Sequence, residues 1–179
     1  RRWCDARYDS DPLGALDAAG LLSPRLSVAH GTQLRPDEIA LMAERAVTVS
    51  VNTSSTLRLG SGIAPVAAFL RAGLSFGLGL DSFGFDDRAD LLTEARLCRL
   101  IHRGRGVAPA LPEADLFAAL ARGHGAPAPP AIVLLDMEAL APDRAPWLGA
   151  DEDLALLATR MAAHHVTDLI VGDRVVLRD

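Results

Sequence analysis

The sequence contains no lysine, few aromatic residues and only two cysteines. Its 18 basic residues are therefore all arginines, and 23 acidic residues bring the net charge to −5. This balance argues against a nucleic-acid partner, because such partners are bound through basic surfaces. Aromatic residues make up 4% of the chain while half of it is hydrophobic, so we expect an aliphatic core.

The cysteines and the hydropathy pattern predict a cytoplasmic location. Cys4 and Cys98 form neither a C-x-x-C pair nor a disulfide framework, which favours a reducing compartment. No apolar run reaches the roughly 20 residues that span a bilayer, so we predict no membrane partner. No signal peptide is visible, and because the chain begins at Arg1 without a methionine, we expect it to be internal to a longer protein.

Strand-like and helix-like patterns alternate over about the first 122 residues. The predicted strands are 25–31, 47–52 and 74–81, and the predicted helices are 12–20, 35–46, 64–73, 89–104 and 113–122. Residues 53–62 are polar and rich in glycine, and we predict a loop there. Because no hairpin signal joins successive strands, the order predicts a parallel sheet with crossover helices.

The pattern changes after residue 122. Proline and glycine are concentrated in 123–131, which predicts a linker or a loop. We then predict a strand at 131–136, an irregular segment at 142–149, a helix at 151–165 and two strands within 166–179. Because the tight-turn pair Gly172-Asp173 separates the last two strands, the tail is expected to be antiparallel.

Polar residues follow each of the three predicted parallel strands. These residues are His30, Asn52 with Thr53, and Asp81. A single histidine there is more often structural, and a single aspartate more often caps a helix or stabilises a turn. Together, however, they lie at the carboxyl edge of one sheet, where α/β proteins bind ligands. A histidine and an aspartate that face one cavity can bind a metal or share a proton.

Other polar or reactive groups have plainer interpretations. The Gly-rich segment 59–62 lacks a complete phosphate-binding motif and favours a flexible loop. His164 and His165 lie at a predicted helix end and are expected either at the surface or as partners of the helix C-terminal dipole. Cys98 lies on the apolar face of its helix and is expected in the core. His102 closes the same helix, His124 lies in the predicted linker, and Asp86-Asp87 favour a solvated acidic turn.

Three motifs, taken in order, resemble one family. They are Ala29-His30-Gly31, the segment from Ser55 to Gly62, and Leu78-Gly79-Leu80-Asp81-Ser82. The chain resembles the amidohydrolase superfamily, in the branch of the cytosine, guanine, chlorotriazine and methylthioadenosine/S-adenosylhomocysteine deaminases.

The resemblance implies an α/β fold, namely the second half of a (β/α)8 TIM-type barrel followed by strands of a small β-sandwich. Strands six to eight and their helices would lie in 1–122, a linker or an omitted segment in 123–130, and the β-sandwich strands with an intervening helix in 131–179.

The resemblance also implies a metal-dependent hydrolase that acts on C–N bonds other than peptide bonds. Its small-molecule substrate would be an aminated heterocycle of the purine, pyrimidine or triazine type. Asp81 would ligate the metal and take a proton from the activated water. His30 would orient water or substrate, or ligate a second metal.

One divalent transition metal, zinc or iron, is expected, with most of its ligands outside this chain. The positions of Asn52, Thr53 and Ser55 make them candidates for substrate contacts. The complete protein is expected to be a homo-oligomer.

The departures from the family keep two alternatives open. Val51 stands where the family often has a histidine, and Thr56 replaces its usual asparagine. The first-strand H-x-H pair and the fifth-strand histidine with its glutamate are missing. A truncated or decayed paralogue that serves as a non-catalytic folding or assembly partner is therefore an alternative. A flavodoxin-like nucleotide-binding domain shares the strand and helix order, but it would need a phosphate loop that the sequence lacks.

Overall fold

The computed structural model describes residues 6–7, 11–82, 90–103, 111–122, 129–144 and 149–178. Up to residue 122, helices separate successive strands, as the sequence predicts. The strands are β1 (Ser27–Ala29), β2 (Thr48–Val51), β3 (Ser75–Leu78), β4 (Ala131–Leu135), β5 (Val166–Val171) and β6 (Arg174–Arg178). The helices are α1 (Pro12–Ala18), α2 (Pro36–Glu44), α3 (Thr53–Arg58), α4 (Val66–Ala72), α5 (Leu91–Ile101), α6 (Glu113–Arg122), α7 (Met137–Leu140) and α8 (Ala150–Arg160).

The first three strands form a parallel sheet in the order β1-β2-β3, which confirms the prediction. Val49 pairs with Val28 on one side and with Phe76 on the other. Helices connect the strands, so all three carboxyl ends reach the same edge of the sheet. This edge carries the polar residues that the sequence predicts there.

Helix α2 illustrates how local sequence sets an element boundary. Pro36 occupies its first turn, where the missing amide hydrogen costs no hydrogen bond. The Glu38 carboxylate accepts a hydrogen bond from the Arg35 amide at 2.7 Å, which closes the turn in front of the helix. The predicted helix 35–46 is thus confirmed, with its ends one or two residues further in.

The predicted loop at 53–62 is wrong for its first half, because Thr53–Arg58 is helix α3. No local signal announces this helix, since the Asn52 side chain at its N-cap makes no capping hydrogen bond among the described residues. The carboxylate of Glu94 on α5 supplies the contact instead, accepting from the Ser54 amide at 3.0 Å. A residue 40 positions away therefore stabilises a segment whose composition favours a loop.

One hydrophobic core runs through the described chain. Its buried apolar members come from the parallel sheet, from the helices that cover it, and from the C-terminal segment; they include Val49, Val51, Phe69, Phe76, Leu78, Ala95, Leu116, Leu140, Ala158 and Met161. Cys98 is fully buried within this core as a free thiol, as predicted. Phe69 and Phe76 are its aromatic pair, with ring centroids 6.2 Å apart.

Asp90 connects helix α5 with the C-terminal segment. Its side chain caps α5 by accepting from the Leu92 and Thr93 amides, and it also accepts from the Ala163 amide at 3.2 Å. Burial opposes ionisation, but the hydrogen bonds from the Thr93 hydroxyl and from the amides outweigh it and lower the pKa of Asp90. The charged carboxylate therefore stabilises the contact between α5 and the C-terminal segment.

The last three strands form an antiparallel sheet in the order β4-β5-β6, as predicted. Gly172, with φ of 62°, turns the chain between β5 and β6. Large apolar residues are exposed on both faces of this sheet, since consecutive positions of β4 (Ile132, Val133 and Leu134) are 44–57% exposed. Between this sheet and helices α5 and α6 lies an apolar groove of about 1020 Å³.

The C-terminal helix is shorter than the sequence predicts. It ends at Arg160, and a 3-10 turn at Ala163–His165 follows. His165 is buried and its ring lies 4.0 Å from that of His164, so the predicted surface position is wrong for His165. Within the described part of the chain, no helix combines the length and apolar character needed to cross a bilayer.

Candidate functional site

His30 lies at the carboxyl end of β1 in an unusual backbone conformation. Its φ is 68°, in the left-handed region, and in the described ranges only Ala46 shares this feature among non-glycine residues. The His30 amide donates to the Ser50 carbonyl at 2.7 Å, so the strand hydrogen bonding continues through this residue. A left-handed residue other than glycine costs about 1–2 kcal/mol. Such conformations concentrate at functional sites, where the surrounding structure maintains them.

His30, Ser55 and Asp81 come together at this edge of the sheet. His30 Nε2 lies 4.0 Å from Asp81 Oδ2, and about a third of each side chain is exposed, 37% and 32% respectively. Ser55 Oγ donates a short hydrogen bond of 2.6 Å to the same carboxylate oxygen. The 4.0 Å separation is too long for a direct hydrogen bond, so the imidazole and the carboxylate face one another across a gap.

Two further polar residues of this edge, Ser50 and Asn52, contact each other next to Gly79. The Ser50 hydroxyl donates to Asn52 Oδ1 at 2.9 Å, and both atoms lie against the backbone of Gly79. A Cβ atom at Gly79 would lie 2.5 Å from Ser50 Oγ and 2.7 Å from Asn52 Oδ1, so only glycine fits. The Gly79 amide donates to the Val51 carbonyl at 3.1 Å, which extends the pairing of β2 and β3 toward Asp81.

The three residues predicted from position to contact substrate are all buried. Asn52 is 5% exposed, Thr53 is 3% exposed and Ser55 is fully buried. The Ser55 hydroxyl is directed at Asp81, and the Asn52 side chain is directed at Ser50. Contact with a substrate stays a prediction for all three residues, whereas the structure shows contacts of Asn52 and Ser55 with other groups of the site.

Sequence reasoning missed Glu94. This residue is 2% exposed and lies on α5, and its Oε1 atom accepts from the amide of Ser54, next to Ser55. The one available signal was a carboxylate among the apolar-face positions of an amphipathic helix. Buried carboxylates are rare unless a partner satisfies them, and here the partner belongs to the helix that carries Ser55.

The other candidates do not join this cluster. The segment 59–62 is exposed, and within it the Ser61 carbonyl accepts from the Gln33 side chain at 3.0 Å. Both ring nitrogens of His102 lie within hydrogen-bonding distance of backbone carbonyls, those of Cys98 and Ala64, at 2.8 and 2.9 Å. Cys4, His124 and the acidic positions 86–87 lie outside the described residues.

The site matches a metal centre in the kind of its donors but not in their number. An imidazole nitrogen and a carboxylate oxygen are ligands that zinc prefers, and a catalytic zinc usually has three protein ligands. His30 Nδ1 is buried and has no hydrogen-bond partner in the described structure. Among the described residues, no three histidine, cysteine, aspartate or glutamate side chains lie close enough to hold a metal ion. His30 and Asp81 could thus supply part of a ligand set, and the described residues do not complete it.

Comparisons with known proteins show what the chain as a whole is similar to. The chain is 32% identical to a 5-methylthioadenosine/S-adenosylhomocysteine deaminase of Nitratidesulfovibrio vulgaris, over 98% of this chain and 42% of that protein. An adenosine deaminase from Xanthomonas campestris with bound zinc superposes with a TM-score of 0.81 at 28% identity, over 99% of this chain and 42% of that one. A zinc complex of an atrazine chlorohydrolase from Arthrobacter aurescens superposes with a TM-score of 0.78 at 22% identity, over 98% of this chain and 41% of that one, and shows the likeness of fold.

These comparisons confirm the α/β fold and the resemblance read from the sequence motifs. The chain spans about two fifths of the length of the proteins that it matches. The model of the amidohydrolase family matches residues 2–120, a segment that contains His30, Ser55, Asp81 and Glu94. Because this match covers more than half of the sequence, the chain belongs to the amidohydrolase family.

Proposed function

We propose that this chain is part of a metal-dependent hydrolase that cleaves C–N bonds other than peptide bonds and deaminates an aminated heterocycle. The observation that carries the proposal is the His30–Asp81 pair, 4.0 Å apart on the carboxyl edge of a parallel sheet, within the region that matches the family. The relatives' names support a deaminase with a purine-type substrate, and the pyrimidine and triazine types remain within the proposal.

We assign the three parallel strands to the second half of a (β/α)8 barrel. Their shared carboxyl edge would then face the mouth of the barrel, where active sites of this fold lie. The antiparallel strands β4, β5 and β6 would belong to a small β-sandwich. The free, buried thiol of Cys98 supports a cytoplasmic location for the protein.

His30 and Asp81 would hold the metal together with ligands from outside the described residues. When bound, such a metal activates water at neutral pH and polarises the bond that breaks. Zinc is the metal that the site favours, since two related structures contain it and the donors suit it.

Asp81 would carry the proton. Ser55 Oγ already donates to Oδ2, so Oδ1 is the oxygen better placed to accept a proton and return it to the leaving amine. His30 Nε2 would orient the group that lies in the gap between the imidazole and the carboxylate. Because Ser55 is fully buried, its hydroxyl would fix the carboxylate rather than contact bulk water.

The test is ammonia release by the intact protein that contains this chain, measured on adenosine, cytosine and aminotriazine compounds together with zinc content. We expect Asp81→Asn to lower kcat by at least about 100-fold and to lower zinc occupancy, because it removes a ligand and a proton carrier. Asp173→Asn makes the same chemical change at an exposed turn and should leave both unchanged. Full activity and zinc content in Asp81→Asn would show that the site is misassigned.

A further inference from the structure

Glu94 is a buried carboxylate that the proposed chemistry leaves unused. It is 2% exposed, and its described contact is the hydrogen bond that Oε1 accepts from the Ser54 amide at 3.0 Å. Burying a carboxyl group is costly unless it is hydrogen-bonded, so we look for the group that Glu94 binds. Here the partner is the second residue of helix α3, which has six residues, Thr53–Arg58.

Helix α3 depends on this contact more than most helices depend on one hydrogen bond. Short helices are marginal without tertiary support. The residue that would normally cap α3, Asn52, uses Oδ1 to accept from Ser50 instead, at 2.9 Å. Glu94, on α5, therefore provides the hydrogen-bond acceptor for the first turn of α3 that the local sequence does not provide.

The position of α3 decides the position of Ser55. Ser55 directly follows Ser54 in the same helix, is fully buried, and donates to Asp81 Oδ2 at 2.6 Å. A displacement of the first turn of α3 would thus lengthen the Ser55–Asp81 hydrogen bond. The contacts run in sequence from α5 to the exposed carboxylate of the site, through two residues that are adjacent in the chain.

We propose that Glu94 is a positioning residue that fixes the Asp81 carboxylate through the amide of Ser54 and the hydroxyl of Ser55. The role of Asp81 in this inference rests on the proposed function, whereas the stabilisation of α3 by Glu94 does not. Glu94 touches none of the reacting groups, and its effect on them passes through α3. Loss of the carboxylate loosens Thr53–Arg58 and leaves Asp81 free to take other orientations.

The experiment compares Glu94→Met with Glu94→Gln in the intact protein. Methionine fills a similar volume but provides no good acceptor, whereas glutamine retains an acceptor oxygen. For Glu94→Met we expect amide exchange across residues 53–58 to rise about tenfold. We also expect zinc to be lost to a chelator faster, and kcat to fall by about 10- to 100-fold while KM changes less than threefold. Glu94→Gln should restore all three quantities to within threefold of the wild type.

Two controls separate positioning from a general loss of stability. Glu113→Ala removes another partly buried glutamate, which pairs with Arg99 at 2.6 Å, and it should leave the exchange of 53–58 unchanged. The double variant Glu94→Met/Ser55→Ala should have the same kcat and zinc loss rate as Ser55→Ala alone, because Glu94 acts through Ser55. Additive losses in the double variant would overturn the proposal.

The outcomes also distinguish this inference from the proposed function. If the wild type releases no ammonia from any of the compounds, the proposed function fails. Amide exchange at 53–58 and the rate of zinc loss then still test whether Glu94 is a positioning residue. Faster exchange at 53–58 in Glu94→Met with rescue by Glu94→Gln supports it. Unchanged exchange in Glu94→Met, or a change equal to that in Glu113→Ala, overturns it.

Discussion

Replacing Gly79 by alanine tests the packing beneath the site most directly. The added Cβ would lie 2.5 Å from Ser50 Oγ and 2.7 Å from Asn52 Oδ1, where ordinary contacts begin at 3.4 Å. Both oxygens would have to move by about 0.7–0.9 Å, away from positions in which they are hydrogen-bonded to each other at 2.9 Å. The Asn52 side chain has little room to rotate away, because Asn52 is only 5% exposed.

The expected cost combines two effects. Loss of the Ser50–Asn52 hydrogen bond costs about 1 kcal/mol. Overpacking by one methyl group in a dense region costs about 1–3 kcal/mol. We therefore expect Gly79→Ala to lower the free energy of unfolding by about 2–4 kcal/mol, measured by urea denaturation followed by circular dichroism.

A second substitution shows whether the cost comes from this contact. Asn52→Ala removes one of the two opposing oxygens, so Gly79→Ala should cost at least about 1 kcal/mol less in that background. Gly73→Ala is the control: no atom lies within 4 Å of its added Cβ, and its φ of 69° makes any cost a backbone effect that Asn52→Ala cannot relieve. A Gly79→Ala cost below about 1 kcal/mol, or one that Asn52→Ala leaves unchanged, would refute the steric argument.

Three further predictions follow from the contacts described above. His30→Val should destabilise the protein by about 1–2 kcal/mol more than His30→Asn in urea denaturation, because asparagine tolerates a positive φ and a β-branched residue does not. Because the pKa of Asp90 is lowered, its stabilising effect is complete above the ordinary value and is lost as the pH falls through the folded value. Stability should therefore fall less steeply from pH 6 to pH 3 in Asp90→Asn than in the wild type. Burial raises the pKa of the Cys98 thiol to about 11, so a Cys4→Ser variant should react with a disulfide reagent at pH 8 far more slowly when folded than in urea.

Each of these predictions has its own contrary result. Ala46 also has a positive φ, of 53°, but lies outside the site. If a positive φ strains the backbone at His30, relieving the same strain by Ala46→Gly should make the protein more stable. Equal costs for His30→Val and His30→Asn would rule out strain at His30. Identical pH profiles for Asp90→Asn and the wild type would show that its carboxylate is not held in the charged form. Rapid labelling of folded Cys98 would mean that α5 opens readily.

The parallel sheet and the paired site residues could be predicted from the sequence because the signals are local. Apolar runs mark β1, β2 and β3, and polar residues at their ends mark the edge where His30 and Asp81 meet. Because all three parallel strands end at the same edge, residues that follow β1 and β3 can face one another across the end of β2.

Helix α3 could not be predicted because its stabilising contact is distant in sequence. Its residues are polar and its N-cap side chain is occupied elsewhere, so local propensity favours a loop. The hydrogen bond from the Ser54 amide to Glu94 exists only after α5 packs against α3. For the same reason, the hydrogen bond from Ser55 to Asp81 could not be predicted from the sequence.

The antiparallel sheet carries one more consequence. A strand with one apolar and one polar face resists slipping by one residue, since the slip would expose its apolar side chains. In β4 and β6, consecutive positions are apolar and exposed, so the side-chain pattern distinguishes poorly between neighbouring alignments. Alignment must then be set by the two-residue turn at Gly172-Asp173 and by the irregular pairings at Leu134/Leu135 and Leu169/Ile170. One residue inserted into that turn would do more to misalign the sheet than most substitutions along its strands.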